Sequence, residues 1–297
     1  MSHAYAIKEE TEQSDVVDAK PSDRAKALTT DALAALTAAL EAGGSAALRD
    51  YLKVAARFHK YSFRNQALIA WQRPTATQVA GFHAWIALGR AVQKGEKGIA
   101  ILAPMVGKDK KAVVPAGELA PVKMFGFRTV FVFDVAQTAG KDLPTIEIQP
   151  DGDDAGANGG MGQRLIDYAV GAGIVVQLAD KATLGSAEAR TTGTVIELGD
   201  WLTGAARAAS LAHELAHCLL HCAGPVFLDM GKPDDRALRE LEAESVAYVL
   251  SHAAGFTRLD RMSDYVVNWK GTAGRLESSL HRINAAVKIL YPVAFPA

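Results

Sequence analysis

From about Thr203 to Cys222 the sequence keeps an apolar helical rhythm, and His213-Glu214-Leu215-Ala216-His217 sits in the middle of it. Leu211, Leu215, Leu219 and Leu220 flank the polar groups, so the helix is expected to be buried. Burying two imidazoles and a carboxylate on such a helix is costly unless they share a partner. Residues four apart lie on one face, roughly 6 Å apart, so both histidines can close on a single tetrahedral Zn²⁺. Glu214, next to the first ligand and turned slightly aside, is placed to act as general base on a zinc-activated water. The bland alternative is two core histidines with a salt-bridging glutamate.

A third ligand decides between these readings. His221 continues the spacing, but on a continuous helix it lies about 12 Å from His213, too far to share one ion. The only two cysteines, Cys218 and Cys222, point off the histidine face and read as small packing residues, not as a disulfide framework. Downstream, Arg239-Glu240-Leu241-Glu242-Ala243-Glu244 puts three glutamates on an apolar helix. Glu240 and Glu244 share a face, and either can be the third ligand. The economical reading makes Glu240 the ligand and lets Glu244 hold a ligand histidine by its other ring nitrogen. Glu242 is then expected to face away, toward solvent. Two imidazoles and one carboxylate favour zinc as the metal. Tyr248, one turn further along that face, is either an oxyanion donor or plain core. The strand expected over Thr194 to Leu198 is a candidate to pair an extended peptide by strand addition.

The rest of the chain organises around a charge asymmetry. Residues 49–128 carry 14 basic and 4 acidic side chains, whereas the whole 297-residue chain has a net charge of −1. Within the basic block, cations interleave with aromatics between Arg57 and Lys97. That combination suits single-stranded nucleic acid, where cations follow phosphates and rings stack on bases. Arg57, Lys60, Arg64, Asn65, Arg73, Trp85, Arg90, Lys94 and Lys97 are the candidate DNA contacts. No zinc-finger or recognition-helix pattern appears, which disfavours duplex reading.

Residues 1–23 read as a disordered acidic tail. Residues 24–148 read as the DNA-binding domain: a helix from Asp31 stopped at Gly43-Gly44, two further helices, and a β-hairpin from Ile99 to Met105 and Phe125 to Val135. The Gly- and Asp-rich stretch 149–162 reads as a linker, and 163–297 as a helix-rich metallopeptidase domain. The expected class is α+β, with two domains. No apolar run is long enough to span a membrane, no signal peptide is seen, and a reducing cytoplasm is expected.

The tract RFHKYSFRNQALIAWQRPTATQVAGFHAWIALGRAVQKGEKGIAILAP resembles the N-terminal single-stranded-DNA-binding domain of ArdC-type antirestriction proteins. FVFDVAQTAGKDLP resembles that domain's closing strand. SLAHELAHCLLH followed by RELEAESVAYVL is similar to the C-terminal metallopeptidase domain, related to the ImmA/IrrE peptidases. The resemblance implies a zincin-like, gluzincin-type second domain, carriage by mobile elements, and protection of incoming DNA from restriction. It places the family's zinc-binding histidines and base on His213, His217 and Glu214. Its Glu-x-x-Ala signature falls on Glu240 and Ala243, which supports Glu240 as ligand. The Asn or Asp that often follows that Ala is Glu244 here. Two other functions stay open: a regulatory peptidase that cleaves a repressor or another DNA-associated protein, and a DNA-binding module with a structural metal.

Overall fold

Pro21 opens the first helix ten residues earlier than the sequence pattern predicts. In the computed structural model, α1 runs Pro21–Glu41 with Asp23 in its first turn. Proline at the first helical position loses no hydrogen bond, and an acid in the first turn favours the helix dipole. Asp31 therefore lies mid-helix and not at its start. The structure describes residues 21–42, 45–108, 122–143, 160–256 and 272–296. Most of the expected acidic tail, the Gly43-Gly44 stop and residues 149–159 of the expected linker lie outside these. Gly160 is already the N-cap of a helix.

Helix α2 (Ser45–Arg57) is buried on two sides. Leu48, Leu52 and Ala55 join one apolar cluster, while Val54 and Phe58 join another. Helix α3 (Phe63–Gln72) follows, capped by Ser62. The short β1 (Val79–Ala80), α4 (Phe82–Ala87) and β2 (Arg90–Val92) lead into the expected hairpin, β3 (Ile99–Lys108) and β4 (Val122–Asp134). These two strands pair antiparallel, with a register shift between Met105 and Val106. β1 pairs with β4, and β2 pairs with β5 (Thr138–Gly140). Ile99, Ile101 and Val132 face α2 and α3. Side-chain amides of α3 bond the outer edge of β3. Asn65 donates to Leu102 O and accepts from Leu102 N, and Gln72 does the same with Ala100. At Ala100 and Leu102 the edge is thereby satisfied and offers no template for further pairing.

The second half holds α5 (Met161–Gly171), β6 (Val175–Ala179), the short α6 (Lys181–Leu184), β7 (Ala189–Thr191), β8 (Val195–Gly199), α7 (Gly204–Leu220), α8 (Arg236–Ala253) and α9 (Ala273–Ala294). β8 lies between β6, which is parallel to it, and β7, which is antiparallel. Helix α7, buried as its leucines predict, packs on β7 and β8 and against α8.

The two halves share a core. One cluster joins Leu33, Leu48 and Leu52 to Leu165, Leu215, Val246 and Leu280. Helix α9 carries the polar part of this contact. His59 stacks on Tyr291 with centroids 3.6 Å apart, Arg64 pairs with Glu277 at 2.7 Å, and Asn284 Nδ2 donates to Tyr61 O at 3.4 Å.

Candidate metal centre and aromatic face

On α7 the four-residue spacing puts both imidazoles toward α8. His213 Nε2 and His217 Nε2 are 3.0 Å apart, and Glu240 Oε2 is 3.4 Å from each. Donors held 2.0–2.1 Å from a tetrahedral ion stand roughly 3.3–3.4 Å from one another. The triangle therefore has the dimensions of one face of such a coordination shell, and its donor chemistry fits a divalent metal. Among the described residues this is the one group of three metal-capable side chains whose ligand atoms converge. Glu244 stands on the far side of His213, with its Oε2 3.2 Å from Nδ1. Asp235 caps α8 by accepting from Ala237 N, which sets where the Glu240 turn begins.

The electrostatics follow from burial and close approach. Burial pulls the His213 imidazole down, but the Glu240 and Glu244 carboxylates outweigh it and push it up to about 9. For His217 burial wins and the imidazole is lowered. Glu240, its Oε2 3.4 Å from both imidazoles, is held by them well below the usual carboxylate range. Glu214 touches neither ring nitrogen in this way, and burial pushes its carboxyl up to about 7. A carboxyl poised near neutrality beside a metal triangle is suited to proton transfer.

Two sequence expectations need correction here, and His221 has a partner that the sequence did not name. Glu242 does not face solvent: it is 0% exposed, held by Arg282 at 2.6 Å and by His221 Nε2 at 3.1 Å. Its position, two residues past Glu240, turns it into the α8–α9 seam instead of outward. His221 is outside the triangle, as its distance along the helix requires, but it has a partner in it. Helix α7 ends at Leu220, His221 leaves it with φ −130°, and its Nδ1 comes 2.9 Å from His217 Nδ1. The repeat of histidine at 213, 217 and 221 was the available signal for this contact. The second correction concerns strand addition at residues 194–198. β8 is the central strand, paired on both sides, and has no free edge. The antiparallel edge strand beside α7 is β7, tied to it by Thr191 Oγ1 and Cys218 Sγ at 3.2 Å. Tyr248 is core, stacked on His252.

The basic, aromatic module is more heavily revised. Trp85 is 2% exposed and donates its indole N–H to Phe133 O, so it cannot stack a base. Asn65 is occupied by the edge of β3. Arg57 donates to Lys53 O, Pro74 O and Ala76 O, and Arg90 to Thr138 and to Lys141 O. These two arginines staple loops. Arg73 leans on Asp134 at 3.6 Å, and Arg64 pairs with Glu277. Lys60, Lys94 and Lys97 are exposed.

The basic, aromatic tract of the sequence included Trp71 and Phe82, both exposed, but sequence reasoning missed the exposed rings of β4. Past the bulge in β4, Phe127, Phe131 and Phe133 alternate onto the sheet face opposite the core residues Val130 and Val132. Phe131 is 55% exposed, and Phe82 (47%) meets Phe133 edge-on at 6.5 Å. Gly98, next to Lys97, lies so close over Phe131 that an added Cβ would come within 2.9 Å of its Cβ. The cue was the alternation in FGFRTVFVFD, which the sequence reading used for strand content and not for facing.

Residues 26–133 match the family described as the N-terminal domain of anti-restriction factor ArdC, and residues 171–254 match the IrrE N-terminal-like domain of a peptidase family. Two crystal structures of an antirestriction ArdC protein from the R388 plasmid share the fold. The Mn(II)-bound form aligns with a TM-score of 0.55 and 19% identity, covering 91% of this chain and 98% of that one. The metal-free form aligns with a TM-score of 0.51 and 19% identity, covering 79% and 85%. No curated protein matches the chain. No helix among the described residues is long and apolar enough to cross a membrane.

Proposed function

We propose that this chain, ArdC-like in joining an anti-restriction-type N-terminal domain to a metallopeptidase-like domain of the IrrE kind, is an antirestriction protein. In this reading it is cytoplasmic, carried by a mobile element, binds single-stranded DNA and holds one divalent metal. The observation that carries the metal half is the triangle of His213, His217 and Glu240 with Glu214 beside it. His213, His217 and Glu240 are the ligands and Glu214 is the general base. Three protein donors are one short of the four that close a structural zinc site, which favours a working centre over a purely structural metal. When bound, the metal polarises a carbonyl and stabilises negative charge developing on its oxygen. Glu214 takes a proton from the attacking water and passes it on to the leaving group. Zinc is our assignment from the donor set.

The DNA half rests on the β4 face. Phe131 and Phe82 offer rings to bases, and Lys94 and Lys97 lie on the turn that leads into Gly98. Lys60 adds positive charge just before α3. Duplex reading lacks a recognition helix, so single strands are favoured.

A second reading is favoured by Glu214 and by the edge of β7. It is a regulatory peptidase that cleaves a DNA-associated protein, laying an extended segment along β7 beside the metal. One variant separates the two. Glu214→Gln should leave metal and DNA binding intact. If restriction of incoming DNA is then still blocked in cells, protection does not need hydrolysis. If protection is lost, the peptidase reading replaces the first. The DNA half is tested by single-strand against duplex binding across a salt titration, where tight, salt-steep, single-strand-selective binding is expected.

A further inference from the structure

The two ligand histidines are supported differently. His213 has a carboxylate directly behind it, Glu244 at 3.2 Å. His217 has none. Behind its Nδ1 stands His221, behind that Glu242, and behind that Arg282 from α9. The last three are all buried. Four groups in line from a metal ligand to a buried ion pair on another helix are costly to bury.

We propose that His221, Glu242 and Arg282 are positioning residues that fix which ring nitrogen of His217 faces the metal. This rests on the metal-centre reading above. Arg282 Nη2 lies 2.6 Å from Glu242 Oε1 and Nε 2.9 Å from Oε2, a two-pronged grip that a carboxylate answers as acceptor. Glu242 Oε2 then accepts from His221 Nε2 at 3.1 Å, so a single ring proton on His221 sits on Nε2. The other nitrogen, Nδ1, is left bare. It stands 2.9 Å from His217 Nδ1, and two bare nitrogens do not bond, so His217 Nδ1–H donates to it. The lone pair of His217 is thereby placed on Nε2, the atom 3.0 Å from His213 Nε2 and 3.4 Å from Glu240. With a single proton on His221, each step leaves one hydrogen position, and the chain runs one way from Arg282 to the metal face. With Nε2 protonated instead, His217 would present a donor to a cation.

Two measurements on the full-length protein test this. The first is nitrogen-resolved imidazole NMR of the metal-free wild-type chain, with His217 and His221 assigned by single substitution. We expect the proton on Nδ1 of His217 and on Nε2 of His221; His217 protonated on Nε2 overturns the proposal. The second is Zn²⁺ affinity by chelator competition. We expect His221→Leu to bind on the order of 10–100-fold more weakly, as loss of a partner behind a metal ligand typically does. His221→Gln, which keeps an acceptor for His217, should recover most of that loss. Binding by His221→Leu within about twofold of wild type overturns the proposal. If His221→Leu does not fold, the wild-type NMR result decides alone. If wild type binds no Zn²⁺, the metal-centre reading fails, and the tautomer still decides whether the chain orders His217.

Discussion

The metal centre and the basic, aromatic module each began as a sequence pattern, and the two patterns behaved differently on folding. In α7 and α8, spacing is geometry: residues four apart on a helix must share a face, so His213 and His217 converge wherever the helix goes. In the basic module, a cation or a ring in the sequence has no fixed direction. Trp85 and Asn65 turn inward, Arg57 and Arg90 bond backbone carbonyls, and the exposed rings include Trp71, Phe82, Phe125 and Phe131. A short-range helical constraint survives folding. A composition signal spread over strands and turns is resorted by strand register.

The largest effect that sharpens this contrast is at Glu240. Glu240→Ala removes one of three donors, and Zn²⁺ binding should fall below detection by isothermal calorimetry while circular dichroism stays native. Retained tight binding would return the third ligand to Glu244. Next comes Trp85→Ala, expected to cost about 3–5 kcal/mol in denaturant unfolding, as for other buried large-to-small changes. Little change in unfolding with lost DNA binding would break the comparison, because Trp85 would then be a contact and not core.

The metal should also compete with a proton. His213 has its folded pKa raised to about 9, so below that pH an incoming cation must displace a proton from the site. Affinity should therefore fall as pH falls below about 9, approaching about tenfold per pH unit, and flatten above it. A flat affinity between pH 6 and 9 would show that the site is not protonated when empty. The sign is opposite for stability without metal: the His213 contribution is full below the unfolded value near 6.5 and is lost as pH rises through about 9.

On the aromatic face, Phe131→Ala should weaken single-stranded DNA binding by about 1–3 kcal/mol with little change in unfolding. Unchanged affinity in fluorescence anisotropy would move the interface elsewhere. The smallest effect is at the seam between the halves. Arg64 and Glu277 are half-exposed, and a double-mutant cycle should give about 0.2–1 kcal/mol of coupling. A larger value would make this pair a real latch between the halves.

By itself, the sequence determined the hairpin, the helical character of α7 and α8, and the spacing of His213, Glu214 and His217. These follow from periodicity and local propensity, which act over a few residues. Tertiary structure decided the rest. It turned Glu242 into the seam with Arg282, because only the packing of α9 on α8 supplies a partner for a carboxylate there. It put His221 behind His217, because the helix ends at Leu220 and the ring can swing back. It placed β8 between two strands and left the edge to β7, since strand order is fixed by which faces bury together. It also joined the halves through one apolar cluster, a contact between residues far apart in sequence that no local pattern encodes.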